Sequence, residues 1–188
     1  MMRIVWICVL LLLSAPVWAQ GTPKTSTFHR LLVFNAKDEL MLVKIKSADV
    51  WVTPGWYQDG RLTPRQGLDG LMGAYGLAID TLTLNGVFAL KSGDDDEVAT
   101  RLVYTTRIDG KVATIPDNIA EIRWLAVPAA LELITFPHIR TQLEQIARHP
   151  HTVWGGAQRM YQDNGVQRVE MLEPFYPLSK ASTGKTAD

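Results

Sequence analysis

Between Trp51 and Ile79 the chain reads WVTPGWYQDGRLTPRQGLDGLMGAYGLAI, and this stretch limits the available folds more than any other. Thr63 is a natural N-cap, and Pro64 falls at the first helical position, where its missing N–H costs nothing. Gly76 can end the helix in a left-handed conformation. The pattern predicts a helix from Pro64 to Tyr75. Leu68, Leu71, Met72 and Tyr75 recur at helical spacing and form one buried face, with Arg65, Gln66 and Asp69 opposite. Gly67, Gly70 and Gly73 interrupt the helix, each at a cost of about 1 kcal/mol of propensity relative to alanine. The expected reason is close packing, in which another backbone or a flat aromatic approaches the glycine strip.

The same residues resemble a known signature. WVTPG, a loop and a helix ending in Gly-Leu look like the Nudix hydrolase box, G-x5-E-x7-R-E-U-x-E-E-x-G-U, where U is aliphatic. Anchored on Gly55, the skeleton is kept: Leu71 and Leu77 fall on the aliphatic positions and Gly76 on the last glycine. The first glutamate position is Arg61, the Arg-Glu pair is Asp69 and Gly70, and the remaining glutamates are Gly73 and Ala74. In the family those carboxylates hold a divalent metal against a diphosphate, as hard oxygen ligands suit Mg2+ or Mn2+. The resemblance therefore implies the fold without its usual chemistry, and no catalytic residue is assigned.

The flanking sequence supplies strands in the matching order. Leu31 to Phe34 and Leu40 to Ile45 read as a hairpin across Asn35–Glu39, and Trp51 and Val52 close a third strand before Pro54. Thr83 to Leu90 and Ala99 to Thr106 follow, and a strand around Glu121 to Leu125 leads to a proline-headed helix at Val127-Pro128. A further helix is expected from His138 to Arg148, with Ile139, Leu143 and Ile146 on one face. Together these match a Nudix-like α/β/α sandwich, an α/β fold with a mixed sheet between helices, over residues 28–148. Residues 149–188 form a C-terminal extension. In it Asn164-Gly165 marks a β-hairpin, Trp154, Tyr161, Phe175 and Tyr176 call for docking on the domain, and Ser179 to Asp188 read as a disordered tail.

At the start, Arg3 precedes the apolar run Ile4 to Leu13, and Val17-Trp18-Ala19 offers small-residue cleavage, the layout of a secretory signal peptide over residues 1–19. Residues 20–27 read as a flexible lead-in. Cleavage would remove Cys8, the single cysteine, so neither a disulfide nor a thiol nucleophile would remain. It would also remove Arg3, one of 19 basic residues set against 19 acidic ones, leaving a net charge of about −1. That balance argues against a nucleic-acid or membrane-surface binder. A periplasmic or secreted location follows, with no stable membrane anchor after cleavage.

Candidate ligand-groove residues are Gly55, Trp56, Tyr57, Arg61, Arg65, Gly70 and Gly73. Trp56, Tyr57 or the C-terminal hairpin is expected to cover the groove where the carboxylates are lost. Lys44, Arg101, Arg107 and Arg123 join Arg61 and Arg65 as cations that can meet a phosphate or carboxylate. Asp94 to Glu97 read as a solvated turn, because the ligand spacing of a calcium loop is absent. His149 and His151 lack a third metal ligand.

The residues point to an exported Nudix-fold protein that has lost metal-dependent diphosphate hydrolysis. It would act as a ligand-binding or protein-interaction module for a small ligand or an envelope protein, without a cofactor. Two alternatives stay open. One is a Nudix-type hydrolase of nucleoside diphosphate derivatives, using Mg2+ or Mn2+ on carboxylates relocated among Asp59, Asp69, Asp80, Asp117 and Glu121. The other is a structural component of an envelope complex.

Overall fold

The structure, a computed structural model, describes residues 25–93 and 97–179. The signal-like segment, residues 20–24, Asp94 to Asp96 and the tail from residue 180 lie outside the described residues. The elements are β1 (Thr25–Phe34), β2 (Leu40–Ile45), β3 (Val50–Val52), β4 (Gly55–Tyr57), α1 (Pro64–Gly73), β5 (Thr83–Ser92), β6 (Val98–Arg107), β7 (Ile119–Leu125), α2 (Val127–Leu133), α3 (Pro137–Arg148), β8 (Val153–Asp163) and β9 (Val166–Ser179).

One mixed sheet runs in the order β3-β2-β1-β6-β5-β8-β9, with β4 paired to β1 and β7 to β2. Its centre is buried on both faces, which is why β1 and β2 read as unbroken apolar runs. Alternation divides those runs between two cores. Leu31, Val33, Met41 and Val43 pack with Leu68, Met72 and Tyr75 of the α1 segment. Leu32, Leu40 and Leu42 pack with Ala130 of α2 and with Ile139, Leu143 and Ile146 of α3. The chain is thus an α/β fold with helices on both faces of a mixed sheet.

Helix α1 begins as its sequence demands. Thr63 accepts from the Gln66 amide, and the Gln66 side chain returns to the Thr63 backbone, completing a capping box. The regular helix stops at Gly73, before the expected Tyr75, and Gly76 then adopts φ 71°. A side chain there would be strained, and its Cβ would also meet that of Ala113 at 2.6 Å.

Three local expectations are corrected. Thr25 to Thr27, read as part of a lead-in, are the first residues of β1, paired in parallel to Val98, Ala99 and Thr100. Trp56 and Tyr57, which follow WVTPG where a loop is expected, lie in the short strand β4, opposite His29 and Phe28. Ser179, assigned to the tail, ends β9 and its Oγ accepts from the Val153 amide at 3.2 Å. The C-terminal hairpin turns at Asn164-Gly165, and it extends the sheet edge because β8 pairs in parallel with β5. Trp154 and Phe175 pack against the α3-side core, whereas Tyr161 and Tyr176 stay exposed.

Candidate functional site

Helix α1 is where the family would carry its metal ligands, and its glycines have separate explanations. A Cβ on Gly67 would sit 2.4 Å from the Trp56 ring, so this glycine is what lets the indole lie against the helix. Trp56 stacks in turn on the His29 imidazole, with ring centroids 5.3 Å apart. Gly70 and Gly73 are exposed, and a Cβ on either would meet nothing within 4 Å. Close packing thus accounts for Gly67 and for neither of the others. The C-terminal hairpin lies beyond β5 at the sheet edge, where Met160 of β8 reaches a hollow on the α3 side of the sheet. Gly55 has a different role: its Cβ would fall 2.3 Å from the Phe28 ring, which crosses it.

The residues present do not fit a divalent metal at this helix. Gly70, Gly73 and Ala74 offer no side-chain oxygen, and Asp69 is held by Arg65 at 2.9 Å. Asp59 is held by Arg61 at 2.7 Å, and hydrogen bonds from Arg61 keep its carboxyl below the usual range. Glu121 pairs with Arg123 at 2.6 Å. Among the described residues no group of three or more His, Cys, Asp or Glu side chains could hold a metal ion. Arg65 also donates to the Ile79 carbonyl at 2.8 Å, tying α1 to the loop that follows it. Arg61 lies exposed, on its Asp59 partner.

The candidate cations separate by partner. Lys44, Arg61, Arg65, Arg107 and Arg123 each carry a carboxylate. Arg101 has no carboxylate partner among the described residues; it points instead to the Tyr57 hydroxyl, 3.4 Å from Nη2. It faces a second guanidinium, that of Arg30, on the neighbouring strand β1. Both lie 5.1 Å from the centroid of the Phe28 ring, which makes edge-to-face contact with Tyr57 at 4.7 Å. Arg30 is buried and donates from Nη1 to Thr53 Oγ1 at 2.8 Å. Burial first, and then the charge of Arg101, lower its pKa to about 9, so it remains protonated at neutral pH. The third member is His138, at the start of α3. Burial, followed by the charges of Arg30 and Arg101, holds its imidazole well below the ordinary histidine range.

These side chains border a hollow of about 210 Å³ on the α3 side of the sheet. A second hollow of about 320 Å³ adjoins it through Phe28, Val52, Thr53 and Phe136, and reaches Gly55, Leu71 and Ala74 beside α1. A groove therefore leads from the helix that carries the signature to a basic pocket. A larger hollow of about 500 Å³ opens near the end of α3, but its arginine, Arg107, is held by Asp38 at 2.5 Å.

Arg30 and His138 were not among the candidates that the sequence offers. The available signal was a charged residue abutting the buried run Leu31 to Val33, but its convergence with Arg101 depends on the parallel pairing of β1 and β6.

No family model matches the chain, and no curated protein matches its sequence. Solved structures do resemble it. A MutT protein from Bacillus halodurans superposes with a TM-score of 0.59 at 13% identity, covering 81% of this chain and 97% of that one. The Nudix domain of NrtR from Shewanella oneidensis, complexed with ADP ribose, gives 0.58 at 12% identity, covering 70% and 92%. A MutT Nudix hydrolase from Burkholderia pseudomallei gives 0.52 at 20% identity, covering 65% and 98%. At such identities the likeness speaks to architecture, and the architecture of this chain is the Nudix fold.

Proposed function

We propose that this protein is an exported Nudix-fold module that binds a small ligand and does not carry out metal-dependent diphosphate hydrolysis. The observation that carries the reading is the helix face at Gly70, Gly73 and Ala74, where the family signature places carboxylates and this chain places hydrogen and methyl, open to solvent at both glycines. Diphosphate hydrolysis needs charge neutralisation at the bridging oxygens and an activated water, and both depend on the metal that those carboxylates would hold. Of the acids that could replace them, Asp59, Asp69 and Glu121 are each paired with an arginine, and among the described residues no three acidic, histidine or cysteine side chains converge, Asp80 and Asp117 included. A retained binding role is supported by the groove between α1 and the basic pocket. The solved complex of the NrtR Nudix domain with ADP ribose is an instance of this fold holding such a ligand. Export rests on the signal-like residues 1–19.

The test is to incubate the purified protein with Mg2+ or Mn2+ and a panel of nucleoside diphosphate derivatives, following product release by chromatography. No turnover above the buffer blank, and no metal-induced rise in melting temperature, is the expected outcome. Metal-dependent turnover abolished by a chelator would overturn the reading in favour of a hydrolase with relocated ligands.

A further inference from the structure

The reading that the groove binds a ligand can be narrowed to a chemical class, and this inference rests on that reading. Arg30 is 5% exposed and its Nε has no hydrogen-bond partner; the Nε of Arg101 is buried and equally without one. Neither guanidinium forms an ion pair among the described residues. An uncompensated charge inside a protein is costly, and a guanidinium offers five N–H donors in a fixed fork. Two such groups facing one hollow, with donors to spare and no acid between them, are poorly explained by packing alone. The rest of the wall has matching chemistry. Thr53 and Tyr57 bring hydroxyls, and His138 brings a buried Nδ1 without a partner. Helix α3 starts there, after Phe136 with no side-chain cap, so the positive end of its dipole adds to the field.

We propose that the hollow bounded by Phe28, Arg30, Thr53, Tyr57, Arg101 and His138 binds an oxyanion, a carboxylate or a phosphate monoester, carried on a flat apolar body. The planar guanidiniums suit bidentate capture of either oxyanion. Phe136 and Ile139 supply apolar wall for the body. The volume of about 210 Å³ sets its size, since a dry cavity of ~150 Å³ accepts benzene, leaving room here for one ring and a charged head. The guanidiniums neutralise the anion directly, so binding needs no metal.

Calorimetric titration in a chelator-containing buffer tests this, with inorganic phosphate, phenyl phosphate, phenylacetate and neutral benzyl alcohol as probes. Phenyl phosphate or phenylacetate is expected to bind at least tenfold more tightly than benzyl alcohol or inorganic phosphate. The tighter of the two identifies the head group. Arg101→Gln, at a half-buried position, should weaken that binding at least tenfold, and Arg30→Met should do the same. If Arg30→Met fails to fold, Arg101→Gln alone decides the matter. Equal binding of the charged and neutral probes, absence of binding by all of them, or unchanged affinity in Arg101→Gln would each overturn the assignment. Anion binding in chelator together with Mg2+-dependent turnover would sink the non-catalytic reading alone. Silence in both assays would sink the pocket alone.

Discussion

Replacing Arg30 by methionine should make this protein more stable. The guanidinium is protonated at neutral pH but carries a pKa of about 9 in place of 12.5, set first by burial and then by Arg101. At ~1.4 kcal/mol per decade, the site disfavours the charged form by about 5 kcal/mol. Against this stand the charge-assisted hydrogen bond to Thr53, worth about 1.5–3 kcal/mol, and the contact with Phe28, worth about 1 kcal/mol. Methionine keeps an unbranched chain against the ring and removes the charge. A net gain of about 2 kcal/mol follows, which for a domain of this size raises Tm by about 4–8 °C. Urea unfolding at pH 7, checked by calorimetry, measures it. A loss of stability of about 2 kcal/mol or more would refute the reasoning, because it would mean that the folded protein already compensates the charge. Arg101→Gln serves as a companion, since it should relieve part of the same repulsion and raise stability less in the Arg30→Met background than alone.

The glycines of α1 should respond in opposite directions. Gly70→Ala and Gly73→Ala, each entering open space, should stabilise by about 0.5–1 kcal/mol, whereas Gly67→Ala drives a methyl into the Trp56 ring and should cost about 1–3 kcal/mol; chemical denaturation of the three variants distinguishes them. His138 is held well below its ordinary pKa when folded, so between the two pKa values the unfolded chain binds the additional proton. Stability should be complete above about pH 6.5 and fall by up to about 1.4 kcal/mol per pH unit below it; urea melts from pH 7.5 to 5 should show this slope, and His138→Phe should flatten it. Gln158 accepts from Gln142 at 2.8 Å and donates to Thr141 Oγ1 at 2.7 Å. Gln158→Leu should cost about 1–3 kcal/mol by stranding the buried Gln142 amide, seen as a lower urea midpoint with an unchanged slope.

What the sequence made legible was local or periodic. Thr63, Pro64 and Gly76 mark the ends of the α1 region because capping and positive φ are properties of single positions. Leu31 to Val33 and Leu40 to Val43 betray central strands because both faces of the sheet are covered. Strand β4 escaped notice since three residues after a proline carry too little periodicity, and its pairing partner β1 lies well upstream. The basic pocket is a product of tertiary structure: Arg30, Arg101 and His138 come from two parallel strands and a helix start, and apart from the buried run beside Arg30 nothing in their neighbours marks them. Among the arginines, sequence cannot tell which have found an acid. Arg61 stands at the first glutamate position of the signature, yet it turns back to Asp59, whereas Arg101 has no such partner among the described residues.

The pairing of β8 with β5 decides which strand forms the open edge of the sheet. A chain ending at Arg148 would keep α1, α2 and α3 and the segment that resembles the signature, but the backbone groups of β5 from Gly86 to Ser92 would lose their partners in β8. Phe88 would also lose Phe175, whose ring centroid lies 5.2 Å away. That is an open edge beside an apolar face, the configuration that recruits another chain into the sheet. The hairpin therefore covers β5 and hands the role of edge strand to β9, which carries Met171, Leu172, Tyr176 and Leu178 exposed along it.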